Sequence, residues 1–166
     1  MPAKKKPQIS MPLEGIRVLD WTAFQQGPIA ACLLAYMGAD VIKIEEPRGE
    51  PARGLIQMYG IKVPMNFYYQ NQNRGKRGMV LNLQSPKGKE ILYRMVEKSD
   101  VFVTNYRESI CRRLQVDYDT LVKHNPRLIY GYSSGYGRWG RMPTWPAPPS
   151  RARPAAGCGA SPGHGP

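Results

Sequence analysis

Short apolar stretches alternate with helix-forming stretches along most of the chain, and this alternation restricts the fold more than any single motif does. The strand-like stretches lie at residues 16–21, 41–44, 79–83, 101–104 and 127–132. Between the first two, Pro28 suits the first position of a helix and Gly38 suits its C-terminal stop. Ser85 and Pro86 predict the start of a second crossover helix. Strands joined by helical crossovers predict an α/β fold with a mostly parallel, doubly wound sheet.

The loops that follow the predicted strands are where a ligand is expected, because doubly wound sheets bind ligands beyond the carboxyl ends of their strands. These loops lie at residues 25–27, 45–48, 105–107 and 133–136. Residues 46–65 are predicted to form a long loop, since they contain three prolines and three glycines. No GxGxxG pattern opens the first helix, which disfavours a nicotinamide dinucleotide as the ligand.

The positive charge of the chain is concentrated at its two ends. The sequence has 24 Lys and Arg against 12 Asp and Glu, which gives a formal net charge of +12. Lys4, Lys5 and Lys6, together with four arginines from Arg138 onwards, supply seven of these excess charges. A nucleic-acid partner, which a strongly basic domain would suggest, is therefore disfavoured.

The last 26 residues differ in composition from the rest of the chain. Residues 141–166 contain seven prolines, five alanines and four glycines, and no acidic residue. This composition predicts a disordered tail, whether it comes from a truncated or frame-shifted gene or is a natural low-complexity segment. Residues 1–11 are predicted to be a flexible basic N-terminus, which leaves residues 12–140 as the folded part.

The cysteines and histidines favour neither a disulfide framework nor a metal site. Cys32, Cys111 and Cys158 are widely spaced, and His124 is the only histidine before the tail. The sequence therefore offers no Cys/His metal cluster and no His-based catalytic triad. Reduced thiols, the lack of a signal peptide and the lack of a bilayer-spanning apolar run predict a cytoplasmic protein without a membrane segment.

Amide and cationic side chains occupy two of the predicted turns. Gln25 and Gln26 precede the first predicted helix, whose free N–H groups suit a phosphate or carbonyl oxygen. Asn73, Arg74 and Lys76 belong to a basic turn that could hold a phosphate through charge-assisted hydrogen bonds. An ordinary strand-to-helix turn and a solvated charged surface explain the same residues, and both interpretations stay open at this point.

A further polar segment directly follows the fourth predicted strand. Asn105 and Tyr106 lie at its end, and Arg113 follows within a short predicted helix. An amide and a phenol can pair with the edge of an adenine or with a carbonyl, and an arginine can bind phosphate. A polar loop without a ligand is the alternative interpretation.

A series of short motifs in the same order and spacing resembles the family III CoA-transferases, a group that includes formyl-CoA:oxalate and carnitine CoA-transferases and the 2-methylacyl-CoA racemases. The resemblance covers about residues 11 to 140, in the stretches 12–20, 27–28, 33–34, 37–47, 73–77, 81–83, 99–107, 125–130 and 133–137. It implies a Rossmann-like large domain that binds CoA. It also implies that the full-length protein forms an intertwined homodimer.

The resemblance also implies the ligand and the residues that contact it. The family's CoA-contacting positions fall on Gln25, Gln26, Asn73, Arg74, Lys76, Asn105, Tyr106 and Arg113. Cations there would meet the phosphates of CoA, while amides and the aromatic ring would meet the adenine and the pantetheine arm. CoA and acyl-CoA would then be substrates, with a carboxylic acid as the second partner. No permanently bound cofactor and no metal are expected.

Transferases of this family use an aspartate nucleophile that attacks the acyl-CoA thioester and passes through a mixed anhydride and an aspartyl-CoA thioester. The resemblance implies that this aspartate follows residues 133–137. The last acidic residue of the chain is Asp119, and the sequence departs from the family pattern at Arg141. We therefore expect this chain to lack the catalytic aspartate and to be inactive alone.

Three other interpretations stay open. A 2-methylacyl-CoA racemase of the same family would share the CoA site and differ only beyond the point of divergence. A non-enzymatic basic protein would bind an acidic partner through its charged ends, and its binding would collapse with added salt. A non-functional fragment would do neither.

Overall fold

The computed structural model describes residues 10–58, 60–62 and 64–135. The predictions made for residues 1–9 and 136–166, including the tail, lie outside the described residues. The same holds for the last part of the loop at residues 133–136.

Five strands form one sheet. They are β1 (Arg17–Trp21), β2 (Asp40–Glu45), β3 (Arg77–Val80), β4 (Val101–Thr104) and β5 (Ile129–Tyr132). The strand order is β3-β2-β1-β4-β5, and every neighbouring pair is parallel. The predicted α/β fold with a mostly parallel sheet is confirmed. Each observed strand overlaps a predicted one, but β3 begins two residues earlier and ends three residues earlier than the predicted stretch 79–83.

Helices connect the strands and cover the sheet. They are α1 (Gln26–Tyr36), α2 (Leu55–Met58), α3 (Phe67–Asn73), α4 (Pro86–Val96), α5 (Glu108–Leu114) and α6 (Tyr118–Leu121), with a 3₁₀ helix (Pro51–Gly54) before α2. Because side chains alternate along a strand, the two faces of the sheet pack against different helices. On one face, Val18 and Val41 pack with Ala31 of α1. On the other, Phe102 packs in one cluster with Leu92 of α4.

The crossover helix α4 begins as the sequence predicts. The Ser85 hydroxyl oxygen accepts a hydrogen bond from the Gly88 backbone N–H at 3.0 Å, and Pro86 occupies the first turn. Gly88 is needed for close packing, because an added Cβ would lie only 1.9 Å from the Asn82 carbonyl oxygen. The cap fixes the helix so that Leu92 is fully buried against the sheet.

Two local predictions are wrong. Helix α1 begins at Gln26, so Pro28 is its third residue and not its first. The segment predicted as one long loop contains the 3₁₀ helix and α2. Prolines do not break these turns, since Pro51 stands at the first position of the 3₁₀ helix, where its missing N–H costs no hydrogen bond.

Candidate functional site

The loops after β1 and β4 are joined at the carboxyl edge of the sheet by the side chain of Asn105. Its Oδ1 accepts a hydrogen bond from the Ala23 N–H at 2.8 Å, and its Nδ2 donates one to the Ala23 carbonyl at 2.7 Å. The pairing of Trp21 with Thr104 brings the ends of the two strands side by side. The Asn105 amide therefore fixes the backbone of the β1 loop, which is a use that the sequence does not predict.

The start of α1 lies directly against this joined pair of loops. Gln25 and Gln26 are exposed there, at a helix end whose first N–H groups have no acceptor within the helix and which carries partial positive charge. Gly27 permits the close approach, because an added Cβ would lie 2.6 Å from the Thr22 Cβ and 3.1 Å from the Asn105 side chain. The structure thus brings Gln25, Gln26 and Asn105 together.

Phe24 forms a strained turn between the buried β1 loop and α1. Its φ of 64° lies in the left-handed region, where a residue with a side chain is disfavoured by about 1–2 kcal/mol. The Phe24 N–H donates a hydrogen bond of 2.6 Å to Oε1 of Glu50. The Phe24 side chain is 49% exposed. The turn therefore presents an aromatic side chain to solvent beside the two glutamines.

Charged side chains are buried beneath this turn, on the face of the sheet that α1 covers. The register of β1 and β2 sets Asp20 beside Lys43, and both side chains are almost completely buried. Lys43 Nζ donates a hydrogen bond to the Thr22 carbonyl at 2.6 Å. The same Nζ lies 3.4 Å from Oε2 of Glu50 and 3.9 Å from Oδ1 of Asp20. One ammonium group therefore links both strands to the turn above them.

Lys76, predicted as a ligand-binding cation, has its ammonium group in the interior. Its Nζ donates to Asp20 Oδ2 at 2.7 Å, to the Pro28 carbonyl at 2.8 Å and to Asn73 Oδ1 at 2.9 Å. The side chain is 1% exposed. Burial lowers the pKa of Lys76, and the Asp20 carboxylate opposes this effect. All three ammonium hydrogens have acceptors within the protein, so Lys76 holds the start of α1 onto β1.

The carboxylate of Glu45, at the end of β2, is held by the guanidinium group of Arg53. Both oxygens of Glu45 bind the Arg53 guanidinium, at 2.6 Å and 2.8 Å, and Oε1 also accepts from the Tyr69 hydroxyl. Burial alone would raise the pKa of Glu45, but the hydrogen bonds from Arg53, Tyr69 and the Glu50 backbone outweigh it and set the pKa at about 2. Glu45 is thus ionised at any pH near neutrality and fixes the position of Glu50.

Tyr106 and Arg113 lie on the β4 side of the edge. The Tyr106 ring stacks on Trp21, with ring centres 4.3 Å apart. Burial raises the pKa of Tyr106, and the nearby carboxylates raise it further, so its hydroxyl stays protonated near neutral pH. Arg113 is exposed near the end of α5, next to Arg112, whose guanidinium pairs with Glu108 at 2.8 Å.

The turn at residues 73–76 lies on the side of the sheet where β3 begins. The Arg74 guanidinium carbon is 5.8 Å from the centre of the Tyr36 ring, at the C-terminal end of α1. Helix α1 spans roughly 15 Å from Gln26 to Tyr36. Arg74 and the two glutamines therefore lie at opposite ends of this helix, and the eight predicted residues do not form one compact cluster.

A separate groove of about 290 Å³ lies near the start of β1 and the end of α4. Its lining includes Arg17, Arg94 and Lys98, and none of the eight predicted residues. Within the described part of the chain, no three His, Cys, Asp or Glu side chains gather as a metal site would need. No helix among the described residues is long and apolar enough to cross a membrane.

Comparison with known families identifies the chain. A family model described as CoA-transferase family III matches residues 13–159. The chain belongs to this family. The matched range ends later than residue 140, where the folded part is predicted to end, and this boundary stays a prediction. Solved structures share the fold. Rv3272 from Mycobacterium tuberculosis superposes with a TM-score of 0.75 at 34% identity, over 82% of this chain and 38% of that one.

Three relatives with named activities are CoA-transferases. A formyl-CoA:oxalate CoA-transferase from Streptomyces coelicolor is 42% identical over 75% of this chain and 30% of its own length. An acetyl-CoA:oxalate CoA-transferase from Acetobacter aceti is 40% identical over 88% of this chain and 36% of its own. A succinyl-CoA:mesaconate CoA-transferase from Haloarcula marismortui is 39% identical over 75% and 32%. The chain therefore spans about a third of the length of these relatives.

The sequence alone does not reveal the buried charges that hold the loops at the carboxyl edge of the sheet. The sequence pattern predicts Lys43 only as part of a strand and Glu50 only as part of a loop. One signal was present: Lys43 interrupts the apolar run at residues 41–44, in a strand predicted to lie inside a parallel sheet. A lysine buried on both sides needs a carboxylate partner, and Asp20 in the preceding strand is the nearest candidate.

Proposed function

We propose that the described residues form the CoA-binding part of an enzyme that moves CoA from an acyl-CoA donor to a carboxylic acid. Membership of CoA-transferase family III carries this proposal. Three relatives named for three different acyl donors and two acceptor acids share the same reaction type, and this supports transfer over the racemase alternative. Donors and acceptors among small carboxylic acids, such as the formyl, acetyl, succinyl, oxalate and mesaconate groups of these relatives, are the substrate class to test.

The polar edge at the start of α1 supports binding of the CoA moiety. Gln25 and Gln26 are exposed beside the free N–H groups of the helix, and this arrangement suits phosphate or carbonyl oxygens. Exposed Arg113 is the cation proposed for a phosphate, and Tyr106 with Phe24 offers apolar contact for the adenine or the pantetheine arm. Arg74 would contact a distant part of an extended ligand. Asn73 and Lys76 would act on the ligand by holding α1 in place.

The transfer step itself needs a carboxylate that can reach the thioester. In the proposed mechanism an aspartate oxygen attacks the acyl carbon, and the CoA thiolate leaves, which gives a mixed anhydride. The thiolate then attacks the aspartyl carbon and releases the donor acid, and the acceptor carboxylate resolves the aspartyl-CoA thioester in the reverse sense. The carboxylates of Asp20, Glu45 and Glu50 are buried and already paired with lysine or arginine side chains of the protein. None of them therefore suits this role.

We therefore propose that residues 1–166 bind CoA without turning it over. No acidic residue follows Asp119 in the sequence, and the resemblance expects the nucleophile after residue 137. The full-length protein is proposed to act as a cytoplasmic homodimer. An exposed apolar face on α1, formed by Ile29, Leu33 and Tyr36, supports burial of this helix against another chain.

Calorimetric titration of the purified chain with CoA and with dephospho-CoA tests the binding proposal. We expect saturable binding of CoA and weaker binding of dephospho-CoA, because the 3′-phosphate is a main contact for cations. Arg113→Ala should weaken CoA binding about tenfold, the effect of losing one hydrogen bond to a charged group. The matched control is Arg112→Ala, which should change the affinity by less than about twofold, since Arg112 already pairs with Glu108.

A coupled acyl-transfer assay on the same protein completes the test. Formyl-CoA, acetyl-CoA and succinyl-CoA are offered with oxalate or mesaconate, and the expected rate equals the background. Turnover above background would contradict the absence of a nucleophile. Equal loss of binding in Arg112→Ala and Arg113→Ala, together with a steep decline in added salt, would favour the non-specific basic binder.

A further inference from the structure

Glu50 occupies a place that no ligand-binding or catalytic assignment explains. Its side chain is 2% exposed, and it lies between the strained Phe24 turn and the buried ammonium of Lys43. Oε1 accepts the Phe24 N–H at 2.6 Å, whereas Oε2 has no hydrogen-bond partner among the described residues and lies 3.4 Å from Lys43 Nζ. One carboxylate therefore bridges a backbone amide and a buried cation.

The position of Glu50 is itself fixed by a contact with the end of β2. Its backbone N–H donates a hydrogen bond of 2.9 Å to Oε2 of Glu45, and Glu45 is held on both oxygens by Arg53. Glu50 is thus attached to the end of β2 and reaches across to the loop of β1. Because its backbone is held in this way, the Glu50 carboxylate has a fixed position, which a residue on a loop without such contacts would not have.

The residue that donates its N–H to Glu50 is Phe24, whose backbone conformation is unfavourable without such a contact. Phe24 has a φ of 64°, which is a conformation that glycine adopts freely and phenylalanine does not. The preceding residue, Ala23, is fixed independently by Asn105 from the other side. The two contacts together set the direction in which the chain leaves the sheet at Phe24 and enters α1 at Gln26.

We infer that Glu50 is a positioning residue for the CoA-binding edge: it holds Phe24 in the left-handed conformation, which keeps the Phe24 side chain exposed and directs Gln25 and Gln26 towards the ligand. This inference rests on the proposed function for the identity of the ligand. Its conformational part does not, because the Glu50–Phe24 hydrogen bond exists in the protein without CoA.

Amide hydrogen exchange, followed by NMR in the absence of CoA, tests the conformational part. In Glu50→Gln, which keeps the volume and an acceptor oxygen, the Phe24 amide should exchange about threefold faster. In Glu50→Ala it should exchange at least tenfold faster, while the Ala23 amide, held by Asn105, changes by less than twofold. The control Glu90→Gln removes an exposed carboxylate on α4 and should leave both amides unchanged.

Phe24→Gly distinguishes positioning from general stability. Glycine needs no support at positive φ, so Glu50→Ala should weaken CoA binding at least fivefold in the original chain and less than twofold in the Phe24→Gly background. A merely structural role would give the same loss in both backgrounds and would overturn the inference. An unchanged Phe24 amide in Glu50→Ala would also overturn it. If the unaltered chain fails to bind CoA, the proposed function fails, and the exchange rates still decide the role of Glu50.

Discussion

The two halves of the sheet are stabilised by different interactions. At the ends of β1 and β2, the α1 face holds the charged pair Asp20 and Lys43, with Lys76 bound to the same aspartate. Within β4 and β5, the other half relies on aromatic packing, with the Phe102 and Tyr130 rings stacked 5.5 Å apart. The same parallel arrangement is therefore held mainly by ions in one half and by rings in the other.

The two kinds of interaction have different effects: aromatic packing stabilises the sheet, whereas the ionic contacts fix the direction of its loops. Apolar packing is non-directional and scales with buried area, so it stabilises the sheet without fixing the direction of any one loop. Hydrogen bonds from ammonium and guanidinium groups act on particular oxygens, and here they fix the Thr22 carbonyl, the Pro28 carbonyl and the oxygens of Glu45. The loops proposed to contact CoA at the start of α1 are attached to the ionic half.

The largest effect is expected in the aromatic half. Phe102→Ala should lower the free energy of unfolding by about 3–5 kcal/mol, because it removes a fully buried ring from the main apolar cluster. Urea denaturation measures the change. The matched control in the neighbouring strand is Ile129→Thr, at a position 64% exposed, and should stay within about 0.5 kcal/mol. Similar losses in both variants would show that the buried Phe102 ring contributes no more to stability than an exposed side chain of the same half.

A smaller effect is expected from one cation of the ionic half. Lys76→Met should cost about 3 kcal/mol in the free energy of unfolding, at the lower end for a broken buried ion pair, because methionine retains much of the aliphatic stem. The adjacent Arg77, whose pair with Asp40 is exposed, provides the control: Arg77→Met should cost about 0–1 kcal/mol.

Removing the excess carboxylate as well should reverse part of the loss. The double variant of Lys76→Met with Asp20→Asn is expected to be more stable than Lys76→Met alone, since Lys43 and Glu50 then remain as a balanced pair without an excess buried negative charge. If the double variant is less stable by the sum of two independent losses, the ion pair is not the unit that holds α1 to β1.

The smallest effect depends on pH. The Glu45 pKa of about 2 lies below its ordinary value of 4.5, so folding favours the ionised form. Its contribution to stability is complete above about pH 4.5 and is lost as the pH falls towards 2. Glu45→Gln should lower the free energy of unfolding by about 2 kcal/mol at pH 7 and by much less near pH 2. Equal differences at both pH values would contradict a lowered pKa.

The sequence predicts the strands and the capped helix α4 because local signals determine them. Runs of β-branched residues, the Ser85 cap and the proline after it act within a few residues. The 3₁₀ helix and α2 were missed because prolines and glycines in the segment resemble those of a loop. The contacts of Lys76 were missed for a different reason. Its partners Asp20 and Pro28 are about fifty residues away, and only the tertiary fold brings them within reach.

The candidate site, too, is only partly predictable from the sequence. The family resemblance named eight residues, and the structure brings Gln25, Gln26 and Asn105 together at one edge. The pattern could not show that the Asn105 amide binds Ala23 or that Arg74 lies at the far end of α1. Both facts depend on the geometry of loops and on the length of a helix, which motif order does not contain.

Chemical-shift mapping of a CoA titration tests whether the carboxyl edge held by the ionic half is the CoA site. We expect the largest shifts of backbone amides on residues 23–27, 105–106 and 113, and we expect them to saturate with CoA. Largest shifts at Arg94, Met95 and Lys98, which line the groove near the end of α4, would contradict this expectation, as would the absence of saturable shifts at the edge.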